Sequence, residues 1–185
     1  MSLNENNICE KCGAEALYYI DELNCWLCEN CKNEEEELEK ISERLEKKFQ
    51  SSKDTLALLI GAMKEFNKTN SIFLKRSILG YFQDLTEYII DMCETFLVMT
   101  DNYTDGFTSL ELIKRARIHD FFDDSLCDFL LKIVKLRNRY THDYYKREGV
   151  EEDILKCCFS EVMYMDIFLE MSEIEIHLRS KIKNH

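Results

Sequence analysis

The chain has 185 residues, 45% of them hydrophobic and 32% charged, with five glycines and no proline. That composition fits a mostly helical protein with one good core and a small appendage. No apolar run approaches the ~20 residues of a membrane span. Met1 to Asn7 lacks a signal peptide's apolar core, so the expectation is a cytoplasmic protein with no membrane contact. The net charge of −12 excludes a protein that coats a long polyanion without sequence or shape preference. The charge is uneven: residues 1–46 hold thirteen acids and four bases, residues 47–185 hold 23 acids and 20 bases.

Five of the nine cysteines crowd into residues 9 to 31. Without an export signal they are not read as a disulfide framework. Cys9-x2-Cys12, a spacer, then Cys25, Cys28 and Cys31 have the spacing of a four-cysteine zinc site. Leu17 to Ile20 reads as a short strand, Asp21-Glu22 as a turn, and Leu23 to Leu27 as the return strand. This is a zinc-ribbon hairpin too small to bury its own core, so a structural zinc would supply most of its folding energy. Zinc takes four of the five thiols. Either Cys25 with Cys28 or Cys28 with Cys31 completes the set, and apolar Trp26-Leu27 leading into Cys28 favours Cys9, Cys12, Cys28 and Cys31.

An acid-rich helix follows from residue 33 to about 50, with Leu38, Ile41, Leu45 and Phe49 forming one apolar stripe. It reads as a solvated connecting helix with one docked edge. Ser51-Ser52 predicts a break, and Leu56 to Phe66 a further helical segment. Residues 71 to 100 form the clearest long helix, with Leu79, Phe82, Leu85, Ile89, Met92, Phe96 and Met99 in one stripe. A loop over 100–108 leads to Ser109, the expected N-cap of a short helix carrying Leu110, Leu112 and Ile113. Asp123 and Asp124 start the next helix, Arg147 to Gly149 make a turn, and one last helix over about 151–180 turns Ile154, Cys158, Met165, Phe168 and Leu169 inward. Cys93, Cys127, Cys157 and Cys158 read as core thiols. The organisation is a ribbon over 1–33, an acidic connecting region over 34–68 and a helical bundle over 69–185.

The helix that opens at Asp123 carries the chemistry. Leu126, Leu130 and Ile133 form its apolar stripe, and Arg137 continues it. An arginine on a core-facing stripe is costly unless an anion or a carboxylate meets it. His142, five residues on, is the side chain that titrates near neutral pH. A fixed cation beside a base suits cleavage of a phosphodiester next to a hydroxyl: the base takes the proton and the cation stabilises charge on the phosphate. On an uninterrupted helix positions 137 and 142 point about 140° apart, so the helix is expected to end near Thr141 and let His142 swing towards Arg137. Residues 132–147 carry six bases and one acid, a local patch able to grip a phosphate. The bland alternatives are a helix-end cation at Arg137 and a C-terminal cap at His142. His119 and His177 read as structural or solvated.

Arg137 and His142 with four residues between, Asn138 directly after the arginine, and Tyr144 two after the histidine resemble the R-x4-H-x-Y motif of the HepT-like toxins. These are small helical ribonucleases of the HEPN superfamily, and the resemblance spans roughly residues 71 to 180. It implies an all-α HEPN-type bundle of four or five helices, here preceded by the zinc ribbon and the connecting helix. It implies catalysis by Arg137 and His142, site-shaping by Asn138, no metal for catalysis, RNA as substrate, and a homodimer whose cleft holds two copies of the site. It further implies a nucleotidyltransferase antitoxin that adenylates Tyr144. HepT-like proteins usually begin with the bundle, so the added ribbon points to another partner or to RNA positioning. The competing reading is a non-catalytic adaptor that binds nucleotide or protein.

Overall fold

The computed structural model of the chain describes residues 8–21, 23–142 and 147–182, without the side chains at 147 and 175–182. Two short strands come first, β1 (Tyr18–Ile20) and β2 (Cys25–Leu27). Six helices follow: α1 (Glu29–Thr69), α2 (Ile72–Met99), α3 (Ser109–Ile118), α4 (Asp124–His142), α5 (Arg147–Glu161) and α6 (Met163–Ile182). This is a mostly helical fold with a small N-terminal β-hairpin.

The strands pair antiparallel with Tyr18 opposite Leu27 and Ile20 opposite Cys25. The hairpin shelters a small cluster of its own, in which Cys9, Ala16, Leu27 and Cys31 are buried. Gly13 has φ +76, a left-handed conformation that glycine adopts without steric cost, and its N–H donates to the Cys9 carbonyl at 2.8 Å. The first cysteine knuckle turns there. Cys28 is the N-cap of α1, so the second knuckle is the first turn of that helix.

α1 does not break at Ser51-Ser52. It is one helix of 41 residues. Ser52 is fully buried, and its hydroxyl donates to the Lys48 carbonyl at 2.8 Å, which satisfies a polar group inside a continuous helix. The half expected to be a docked connector therefore belongs to the bundle: Leu45, Phe49, Leu56, Leu59 and Met63 share a core with α2. Lys48 pairs with Asp91 across that seam. Asn70, left-handed at φ 49, ends α1, and α2 returns antiparallel beside it.

The α2 stripe is buried as its periodicity predicts, from Leu79 through Phe96, with Met99 half-buried at the edge. Phe121 and Phe122, just past α3, are also buried. Phe121 stacks on Phe96 with ring centroids 4.2 Å apart and meets Phe168 of α6 edge-on at 5.8 Å. Cys93, Cys127, Cys157 and Cys158 are buried free thiols.

Three further boundaries differ from expectation. α3 is capped one residue earlier, by Thr108, whose side chain accepts from the Glu111 N–H while the Glu111 carboxylate accepts from the Thr108 N–H. That reciprocal box outcompetes Ser109 because only position 108 has a glutamate three residues on. The turn expected at Arg147–Gly149 is already the first turn of α5, anchored by fully buried Val150. The last long helix is two, α5 and α6, separated at Val162. No glycine or proline marks that joint; both helices bury their own apolar faces against the same core.

The capping box makes a stability prediction. Thr108→Ala is expected to cost about 1 kcal/mol, or ~2–4 °C in thermal midpoint by calorimetry at pH 7. The hydrogen bonds from Thr108 hold the Glu111 carboxyl below its usual value. A lowered carboxyl stabilises above its unfolded pKa, and that stability is lost as pH falls through the folded one. The deficit of the variant is therefore expected to be full at neutral pH and to shrink in acid.

Candidate functional site

α4 positions the motif. Asp123 accepts from the Leu126 N–H at 2.9 Å and starts the helix, and this bond is the first cause that holds its carboxyl below the usual range. Leu126, Leu130, Ile133 and Val134 are buried and fix the rotation of α4. Arg137 then faces α2. Its Nη2 pairs with the Glu87 carboxylate, which is the carboxylate that an arginine on a core-facing stripe requires. Its Nη1 donates to Asn138 Oδ1 at 3.0 Å. Its Nε is buried and has no hydrogen-bond partner among the described residues. The Arg137 carbonyl accepts from the Thr141 hydroxyl at 3.0 Å.

The structure therefore brings Arg137 and Asn138 together and adds Glu87, which sequence reasoning missed. The signal was present. Asp84, Glu87, Asp91 and Glu94 recur at spacings of three and four along α2, a line beside the apolar stripe that reads as a solvated face. Two of its members instead meet cations of neighbouring helices, Glu87 with Arg137 and Asp91 with Lys48.

His142 is the last residue of α4, one beyond the end expected near Thr141. His142 is exposed and, among the described residues, makes no hydrogen bond with Arg137. On a continuous helix the two side chains leave the axis about 140° apart. The Thr141 hydroxyl keeps the last turn helical by bonding back to Arg137. Tyr144 lies outside the described residues. His119 is the C-cap of α3.

The basic run is divided between two faces of α4. Arg137 looks towards α2. Lys132, Lys135 and Arg139 line a cavity of about 390 Å³ with Leu131 and Leu136 on the other side. Lys132 pairs with Glu161, and Arg139 with Asp153 at 3.2 Å, both on α5. Most of that positive charge is locally compensated.

In the N-terminal hairpin and the first turn of α1, Cys9, Cys12, Cys28 and Cys31 place their sulfurs within 4.8 Å of one another, so the four could hold a metal ion. Cys25 sits on β2 outside the group. The Cys28 N–H is the main cause that draws the Cys9 thiol down to about 6, while burial pushes the Cys31 thiol up. Thiolate character beside the first turn of a helix, whose dipole favours negative charge, suits a soft cation. Metal content by atomic emission is expected to fall in Cys28→Ser and to persist in Cys25→Ser. Equal content in the two variants would reject this ligand set.

No family model and no curated protein matches the sequence. Among solved structures, the chain is similar to a tri-AMPylated HEPN toxin of Shewanella oneidensis determined in complex with its MNT antitoxin. The TM-score is 0.62 and the identity 17%, over 70% of this chain and 96% of that one. The likeness is one of fold. No helix among the described residues is long and apolar enough to cross a membrane.

Proposed function

We propose that the chain is a metal-independent endoribonuclease of the HepT-like kind, acting in toxin–antitoxin or phage defence. The observation that carries this reading is the position of Arg137. It is held between Glu87 and Asn138 on the helix that ends in His142, within a bundle whose fold resembles a HEPN toxin. His142 is the base that takes the 2′-hydroxyl proton. The freed oxygen attacks the adjacent phosphorus, and the 5′ oxygen leaves, giving a cyclic phosphate and a 5′-hydroxyl. Arg137 stabilises the charge that grows on the phosphate, and Asn138 fixes the guanidinium plane.

A single Arg137/His142 pair on the bundle surface makes a shallow site, which supports a homodimer. Two copies meeting across a two-fold axis deepen a shallow surface into a cleft that holds both pairs. The toxin of similar fold carries AMP groups and binds an antitoxin, which supports a nucleotidyltransferase partner that adenylates Tyr144. Zinc is the ion for the four cysteines, since the set is all sulfur and complete at four ligands. The second reading, a non-catalytic adaptor, is favoured by one observation: Glu87 already compensates Arg137.

The purified chain is expected to cut RNA and to spare DNA, in the presence of EDTA as long as the ribbon metal stays bound. His142→Ala and Arg137→Ala are each expected to abolish cutting while circular dichroism stays unchanged. Tyr144→Phe should cut but resist silencing by the nucleotidyltransferase. Light scattering is expected to give about twice the chain mass. Wild-type protein that leaves RNA intact, with growth on expression matching the His142→Ala control, would establish the adaptor instead.

A further inference from the structure

Glu87 has a part in this site that is separate from the motif on α4. An arginine offers five N–H donors. Among the described residues Glu87 engages Nη2, Asn138 engages Nη1, and Nε is buried. The plane of the guanidinium is therefore fixed from two helices. Each Nη carries two hydrogens and has one partner among the described residues, so a second hydrogen on each can meet an incoming pair of oxygens, the bidentate arrangement that a phosphate accepts. The side chain of Arg137 is 20% exposed and that of Glu87 38%, so the contact lies at a surface that a ligand can reach.

Resting on the ribonuclease reading, we infer that Glu87 is a positioning residue: it orients Arg137 from α2 so that the second hydrogen on each Nη meets the scissile phosphate. Asn138 cannot do this alone, because it is the neighbour of Arg137 on the same helix and moves with it. Glu87 belongs to a different element, one whose neighbours Leu85, Thr86 and Ile89 are fully buried, so it gives the guanidinium a reference fixed to the core. The arrangement has a cost in binding, since the carboxylate stands beside the place where an anion must arrive. Its two effects have opposite signs. It weakens ground-state capture of the phosphate and improves the alignment that the transition state needs.

That opposition supplies the test. In the full-length protein Glu87→Ala is expected to lower kcat roughly a hundredfold, the scale of a misplaced catalytic group. Affinity for a non-cleavable 2′-O-methyl oligonucleotide is expected to stay the same or tighten. Glu87→Gln keeps the acceptor oxygen without the charge, and is expected to keep kcat within about tenfold of wild type with tighter binding. A general loss of structure would not improve binding, so a fall in both quantities overturns the inference, as does an unchanged kcat in Glu87→Ala. A double-mutant cycle on thermal unfolding with Glu87→Ala and Arg137→Ala needs no activity. Non-additive shifts are expected, and additive shifts overturn the positioning contact whether or not RNA is cut. Non-additive shifts in a wild-type protein that cuts no RNA would instead overturn the ribonuclease reading, and with it the catalytic purpose of the contact.

Discussion

The antiparallel packing of α1 on α2 is the constraint from which the other placements follow. Leu45 to Met63 on one helix and Ile78 to Leu97 on the other bury a continuous seam, and two polar contacts key its register: Lys48 with Asp91, and the buried Ser52 hydroxyl, which lies 3.6 Å from the Met92 sulfur. Fixing α2 in this way fixes Glu87, and Glu87 pairs with Arg137. Fixing α1 also fixes its first turn, where Cys31 sits. The candidate metal cluster and the candidate catalytic arginine are thus both anchored to one pair of helices.

Continuity of α1 has a physical consequence for the ribbon. A hairpin of three-residue strands buries almost nothing, and its small cluster centres on the cysteines themselves. The helix gives two of the four thiols a rigid base, because Cys28 is the cap of α1 and Cys31 lies in its first turn. A flexible tether would leave the two knuckles to find each other at the entropic cost of a closed loop. Here only the first knuckle and the hairpin have to be brought in, with Lys11 pairing with Glu35 on α1 to help place them.

Much of this was legible in the sequence, and the parts that were not share a cause. The α2 stripe, the inward faces of α5 and α6 and the ribbon strands are local patterns, readable because side-chain periodicity reports one face of one element. Ser51-Ser52 misled because a serine hydroxyl can bond back to the carbonyl four residues earlier, as Ser52 does to Lys48, and the burial that favours this bond over water is tertiary. The joint at Val162 left no local mark. At the site, the stripe from Leu126 to Arg137 indicated that an anion or a carboxylate must meet the arginine, but it could not name Glu87. That pairing joins residues fifty positions apart on different helices, and a single glutamate among several on an exposed-looking line carries no distinguishing signal. The helix end expected near Thr141 falls at His142, one residue on, where the Thr141 hydroxyl bonds back to the Arg137 carbonyl.

The acidity of the chain has to be reconciled with the proposed phosphate-handling site, and geometry does this. Lys48 meets Asp91 and Ser52 meets Met92, so Glu87, a turn before Asp91 on the antiparallel partner, lies level with the middle of α1. The glutamate run at Glu34 to Glu37 is then some seventeen residues up the helix, about 25 Å at 1.5 Å per residue. At physiological ionic strength the Debye length is about 8 Å, so that run is screened from the site by roughly three screening lengths. What an arriving phosphate senses at Arg137 is the local set: one guanidinium, one carboxylate and the dipole of an amide. At an effective dielectric near 20, two unit charges about 4 Å apart interact by roughly 4 kcal/mol. Glu87 therefore decides the local field more than the whole acidic N-terminal region does, and the net charge of the chain says little about whether the site binds an anion.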